Sequence, residues 1–130
     1  MNLLLDTHIF LWSLLEPGRL SSQTAKALES PENRLWLSPI TTWETLVLAQ
    51  KGRIILDPDP FNWLKNVFNK IPFSEAPLTH EVATASRKTG LAHPDPADNF
   101  LAATAKVYGL VLVTADKRLT ACTCCEVFSG

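Results

Sequence analysis

Four carboxylates fall where the chain around them is otherwise apolar: Asp6, Glu44, Asp98 and Asp116. Asp6 directly follows the run NLLL, and Asp116 follows LVLV after a Thr114-Ala115 step. In an open parallel α/β sheet the carboxyl ends of the strands line one edge, and ligands bind there. Both aspartates therefore belong on the same edge. Glu44 has Ile40, Val47 and Leu48 at i−4, i+3 and i+4, spacings that share a helix face. The glutamate thus sits on or beside an apolar stripe, where a charge without a partner is costly. In HPDPADNFLAATA, residues 93–105, Asp95 before Pro96 is a natural helix N-cap. Asp98 is then the third helical residue, where the helix dipole favours an acid. It also shares a face with Ala102 and Ala105, small residues that let a helix approach a sheet closely. Taken singly, each acid has an ordinary explanation as a loop acid, a cap or a glutamate at the edge of a stripe.

Taken together they would repel. Two carboxylates about 5 Å apart cost on the order of 3 kcal/mol at an effective dielectric of ~20. Several such pairs raise pKa values or destabilise the fold unless a cation joins them. An all-oxygen acidic set without His or Cys suits Mg²⁺ or Mn²⁺. Such ions hold a phosphate, activate water and stabilise a leaving oxygen. The chemistry expected is metal-dependent hydrolysis of a phosphodiester.

The elements that must position these acids can be read along the chain. Asn2–Leu5 has strand length. Thr7–Leu15 is apolar on more than one face and stops at Pro17-Gly18, as a buried helix would. Ser21 or Ser22 caps a second helix through Glu29, and Arg34–Leu37 reads as a strand. Ser38-Pro39 is an N-cap followed by proline at the first helical position, opening a helix to Gln50 with Gly52 as its stop. Pro58 and Pro60 open a helix over FNWLKNVFNK. Two prolines in residues 71–78 leave room only for a short or edge strand. Thr79 caps a helix over EVATASRKTG that ends at Gly90. A helix after Asp95 runs to Tyr108 and stops at Gly109, LVLV is a buried strand, and a helical turn after Asp116 and a short VF strand close the chain. Strands alternating with helices predict a parallel sheet with helices on both faces.

The 130 residues fit one domain, long enough to bury roughly two thirds of the surface of the unfolded chain. A composition of 46% hydrophobic and 19% charged residues is globular. Twelve basic against thirteen acidic residues leave a net charge of −1, so contact with a polyanion would need local patches or a metal ion. No apolar run approaches the ~18–20 residues of a membrane span, and MNLLLDTH lacks the basic start of a signal peptide. A cytoplasmic location is expected. Cys122, Cys124 and Cys125 crowd one end of the chain. A zinc site generally asks for four ligands, so they read as reduced thiols.

LLLDTHIFLW, SPITTWE, HPDPADNFLAATA and TADKRL, in this order and across essentially the whole chain, resemble the PIN domains of VapC-type toxins from bacterial toxin–antitoxin pairs. The resemblance implies a three-layer α/β/α fold around a mainly parallel sheet of four or five strands. It implies a Mg²⁺- or Mn²⁺-dependent endoribonuclease. The family's four acids fall on Asp6, Glu44, Asp98 and Asp116 as catalytic residues and metal ligands. Thr7 and Thr114 stand beside them to bind a metal water or a carboxylate, and Asp95 matches the first acid of a DPxD signature, a cap with an outer role. The chain departs from the family at Ala97, often a bulky residue, and at Asn99, often arginine. The resemblance further implies a homodimer and a VapB-type antitoxin.

Lys117 and Arg118 directly follow Asp116 and are the best candidates for phosphate contacts, with His8 a lesser candidate. His80 and His93 stand at helix starts and read as structural. Trp12 and Trp43 could stack on bases, but their apolar helical settings favour the core. Other readings fit less well. A receiver domain needs a phosphate-accepting Asp after a mid-chain strand, and a haloacid-dehalogenase-like phosphatase needs DxD where this chain has Asp6-Thr7-His8. A catalytically inactive PIN-like interaction module is the remaining alternative, and it gives no reason to keep four mutually repelling acids.

Overall fold

The computed structural model describes residues 1–91 and 95–130; His93 lies outside them. Five strands, β1 (Asn2–Leu5), β2 (Arg34–Leu37), β3 (Ser74–Glu75), β4 (Val111–Val113) and β5 (Glu126–Phe128), form one sheet in the order β3-β2-β1-β4-β5. Every neighbouring pair is parallel. The helices are α1 (Thr7–Leu15), α2 (Ser22–Glu29), α3 (Pro39–Gln50), α4 (Pro60–Lys70), α5 (His80–Ala85), α6 (Pro96–Tyr108) and α7 (Lys117–Thr120), with a 3₁₀ turn at Pro17–Arg19.

Strand β1 is central, with Leu4 opposite Trp36 on one side and Leu112 on the other. Its run of leucines follows from burial on both faces, which removes the need for alternation. Leu3 and Leu5 pack with Ile9, Phe10, Leu64 and Val67 from α1 and α4. Leu4 faces the other way, with Leu112, Leu101, Ala105 and Leu119. The two clusters are the two interfaces of a three-layer α/β/α arrangement. Phe10 meets Trp63 and Phe73 edge-on at centroid distances of 6.1 and 5.7 Å, the arrangement that aromatic quadrupoles favour.

Most boundaries lie where the sequence puts them. Ser21, Ser38, Asp59, Thr79 and Asp95 each accept a backbone N–H at a helix start. Gly109 ends α6 at φ 64°, a conformation open to glycine at little cost. Pro58 lies outside α4, which Asp59 caps and Pro60 opens, and β5 begins at Glu126, one residue before the expected VF; two further boundaries differ for clear physical reasons. The helix expected to reach Gly90 stops at Ala85. There the Ser86 hydroxyl bonds the Ala83 carbonyl at 2.6 Å, and Arg87 and Lys88 make i→i−3 bonds, which tighten the chain out of the α-helix. Strand β4 begins at Val111 rather than Leu110. The Leu110 amide is spent on the Ala105 carbonyl at 2.8 Å, closing the end of α6.

Because Leu4 is fully buried in the central strand, Leu4→Ala should cost about 3 kcal/mol. The urea unfolding midpoint should fall with an unchanged slope. A midpoint within experimental error of the parent would show that β1 is not the packing centre.

Candidate active site

Asp6 leaves β1 at the carboxyl edge of the sheet and caps α1, its Oδ1 accepting the Ile9 amide at 2.8 Å. Two strands in register put the next acid beside it: Leu5 lies opposite Val113, so Thr114 and Asp116 leave the same edge. The Asp116 amide donates to Thr114 Oγ1 at 3.0 Å. Thr114 also hydrogen-bonds the Asp6 carboxylate. A hydroxyl has one proton, so with Asp6 ionised Thr114 gives it to that carboxylate and accepts from Asp116. One threonine thereby clasps the ends of β1 and β4.

Glu44 enters from α3, which follows β2 on the same edge. Thr7 Oγ1 donates to Glu44 Oε1 at 2.5 Å, and Thr41 Oγ1 lies 3.1 Å from Thr7 Oγ1. The same accounting applies: with Glu44 ionised, Thr7 spends its proton on the carboxylate, so Thr41 donates to Thr7. Sequence reasoning passed over Thr41. The signal was its place three residues before Glu44 on the same helix face.

Helix α6 runs back into β4, so its N-terminus returns to the carboxyl edge. Asp95 caps it, Oδ1 accepting the Ala97 amide at 3.0 Å. Asp98 stands in its first turn, above the buried Ala102 and Ala105. Asn99, the departure from the family pattern, bonds the Thr89 hydroxyl and so ties α6 to the segment after α5. Asp116 caps α7 and pairs with Arg118, Nη2 to Oδ2 at 3.1 Å.

Electrostatics tie the acids together. Only 4% of Asp6 is exposed. Burial pushes its carboxyl above the ordinary 3.8, Thr114, Ile9 and His8 pull it back, and Asp116 adds to the rise. Burial likewise raises Glu44 above 4.5; the Thr7 bond opposes this, and Asp95 and Asp6 reinforce it. The Arg118 guanidinium is held charged chiefly by Asp116, with Asp98 and Asp95 contributing. Asp6, Glu44, Asp95, Asp98 and Asp116 thus share one edge and one field. They are not closed to ligand distance: among the described residues, only three cysteines bring three ligand atoms within 4.8 Å of one another.

Of the other expected residues, His8 is exposed at the start of α1, its ring 5.8 Å from Trp12. Lys117 and Arg118 open α7 beside Asp116, and His80 begins α5. Trp12 is half-buried under the Arg19 guanidinium, 4.3 Å from its ring centroid. Trp43 is not a core residue; it is 57% exposed. The face of α3 that packs inward carries the fully buried Thr41 and Thr45. A residue two positions from each points the opposite way. The apolar pattern around Trp43 misled because the buried face is built from threonines.

Residues 3–122 match the PIN domain family. The chain belongs to the PIN-domain family. Ribonuclease VapC22 of Mycobacterium tuberculosis is 34% identical to this PIN domain over 119 residues, 91% of this chain and 89% of that protein. The fold is shared with the crystal structure of VapBC2 from Rickettsia felis bound to a DNA fragment from their promoter, at TM-score 0.73 and 14% identity over 98% of each chain. It is also shared with FitAcB from Neisseria gonorrhoeae, at TM-score 0.70 and 24% identity over 97% of this chain and 96% of that one.

The raised carboxyls make stability depend on pH in a stated direction. An unfolded chain ionises Asp6 and Glu44 near 3.8 and 4.5, whereas the fold holds their protons to higher pH. Between those limits the unfolded state has lost protons that the folded state keeps, so rising pH favours unfolding. This contribution to stability is fully present below the ordinary values and is lost as pH rises through the raised ones. In EDTA, Glu44→Gln should therefore raise Tm at neutral pH and flatten the gain that the parent shows on acidification toward the ordinary carboxylate range. Calorimetry of both proteins checks this, and a variant that melts lower at neutral pH would refute it.

Proposed function

We propose that this PIN domain, residues 1–130 acting as one domain, is a Mg²⁺- or Mn²⁺-dependent endoribonuclease and the toxin of a VapBC-type pair. The observation that carries the reading is the buried Asp6 carboxylate, which shares its field with Glu44 and Asp116 and stays above its ordinary value although His8 partly offsets them. A buried acid raised by desolvation and by other acids is a site short of positive charge. An all-oxygen donor set fits a hard divalent cation and not a soft one. The similarity to Ribonuclease VapC22 supports RNA as the substrate.

Asp6, Asp98, Asp116 and Glu44 would hold the ion. When bound, it supplies Lewis-acid stabilisation of the phosphate and lowers the pKa of a water. The chain's own groups do the rest. Thr114 fixes the Asp6 carboxylate and Thr7, backed by Thr41, fixes Glu44, so neither acid rotates away from the site. Asp95 sets the start of α6 and with it the position of Asp98. Arg118, 64% exposed in its side chain, and Lys117 offer cationic contacts to the phosphates flanking the scissile bond. His8, exposed at the mouth of the site, is a further contact for RNA.

A protein partner is supported by apolar surface. A groove of about 600 Å³ runs along α3 and β3 and is lined by Leu37, Trp43, Leu46, Phe68 and Phe73. With Trp43 at 57% and Phe61 at 64% exposure, such surface suits contacts with a VapB-type antitoxin and with a second copy in a homodimer. No helix among the described residues is long and apolar enough to cross a membrane, and a cytoplasmic location accords with an RNA substrate.

The test is cleavage of labelled single-stranded RNA by protein freed of any partner, in Mn²⁺, Mg²⁺ or EDTA. Cleavage should require the metal. It should fall by more than about a hundredfold in Asp98→Asn and in Asp6→Asn, with both variants folded by circular dichroism. Undiminished cutting by either variant would remove that residue from the site. Absence of both cutting and metal binding in the parent would favour an interaction module. The apparent affinity for Mn²⁺ should rise with pH, because the ion displaces protons from Asp6 and Glu44. A pH-independent affinity would place the ion elsewhere.

A further inference from the structure

Outside the acidic site, one group of side chains converges without an assigned role. Cys122, Cys124 and Cys125 lie between α7 and β5, and their Sγ atoms all lie within 4.8 Å of one another. Cys122 and Cys125 stand three positions apart, the C-x₂-C spacing at which two thiolates chelate one ion. The sequence itself carries this spacing, Cys122-Thr123-Cys124-Cys125, which corrects the expectation of three plain reduced thiols. None is in a disulfide. Packing explains the buried Cys122 and the partly buried Cys125, which lies against the Leu4–Leu112 cluster, and accounts less well for the partly buried Cys124.

Geometry decides what such a group can hold. Three sulfurs around one ion at ~2.3 Å lie roughly 4 Å apart. The observed separations thus need less than about an ångström of closure. A disulfide needs two sulfurs at ~2.05 Å and leaves the third idle. Among the described residues, no His, Asp or Glu joins the group, so the donor set is three sulfurs and nothing harder. Soft thiolates select copper(I) and zinc, but zinc in structural sites is nearly always four-coordinate and three sulfurs leave it a ligand short. We propose that Cys122, Cys124 and Cys125 form a three-thiolate site for a soft d¹⁰ cation, with copper(I) the best fit.

Binding exchanges S–H bonds for S–Cu bonds. Each thiol gives its proton to solvent, and neither sulfur nor copper changes oxidation state. Burial and the neighbouring thiols push Cys124 up to about 11 and Cys125 higher still. Both are therefore protonated at neutral pH, which slows oxidation to a disulfide and makes metal uptake release protons. The site shares no residue with the acidic cluster, and the inference does not rest on the nuclease reading.

The full chain, fully reduced and handled without oxygen, is titrated with copper(I) presented as its bicinchoninate complex. The expected result is withdrawal of one copper per chain from the chelator, with a thiolate-to-copper charge-transfer band in the ultraviolet and three sulfur neighbours by X-ray absorption. Cys124→Ser with Cys125→Ser should weaken binding by at least about a hundredfold. Serine is close to cysteine in size and both positions are only partly buried, so the variant should keep the parent circular dichroism. Three outcomes would overturn the proposal: no copper withdrawn, binding undiminished in the double variant, or only two sulfurs around the ion. If the double variant failed to fold, the sulfur count in the parent would still decide.

Discussion

An ionisable group held out of water at the end of the central strand constrains everything around it. Asp6 cannot retreat, because β1 is paired on both sides and the residue itself caps the next helix. A carboxylate in that position must be supplied with donors, and the fold supplies them from two directions. The Ile9 amide comes from its own helix and the Thr114 hydroxyl from the neighbouring strand. Two donors reduce the cost of burial without cancelling it, since Asp6 stays above its ordinary value. The remaining imbalance gives the acidic edge its affinity for positive charge.

The threonines show how neutral side chains govern a charged site. Thr7 and Thr114 are both buried, each follows or precedes an acid in sequence, and each links that acid's strand to a different element. Replacing such a hydroxyl by a methyl would keep the shape and leave a carboxylate oxygen without its donor, which is the costly half of a lost hydrogen bond.

Much of this was legible in the sequence because local chemistry and tertiary structure agree. Ser38-Pro39, Asp95-Pro96 and Gly109 mark helix ends through interactions within a few residues, and NLLL has the length and apolar character of a buried strand. The placement of Asp6 and Asp116 on one edge followed from the rule for parallel sheets. What was not legible depended on partners distant in sequence or on competition at a helix end. Trp43 was misplaced because the inward face of its helix is polar by composition and apolar only by burial of Thr41 and Thr45. The early end of α5 turned on one hydroxyl, that of Ser86, choosing a carbonyl within its own turn. Thr41 has no meaning until Thr7 arrives beside it from another helix.

The order of strands in the sheet, β3-β2-β1-β4-β5, has a consequence for how the protein comes into being. The first strand made is the middle one, and its partner on one side pairs residue 5 with residue 113. During synthesis β1 and β2 can meet early, but the flank that carries Asp116 must wait for residues 111–113. Closing so long a loop is slow as well as late. Asp6 and Glu44 are therefore made before the rest of the acidic edge can join them. The acidic edge is thus completed by the pairing of strands farthest apart in sequence, and a partial fold short of that pairing does not carry it.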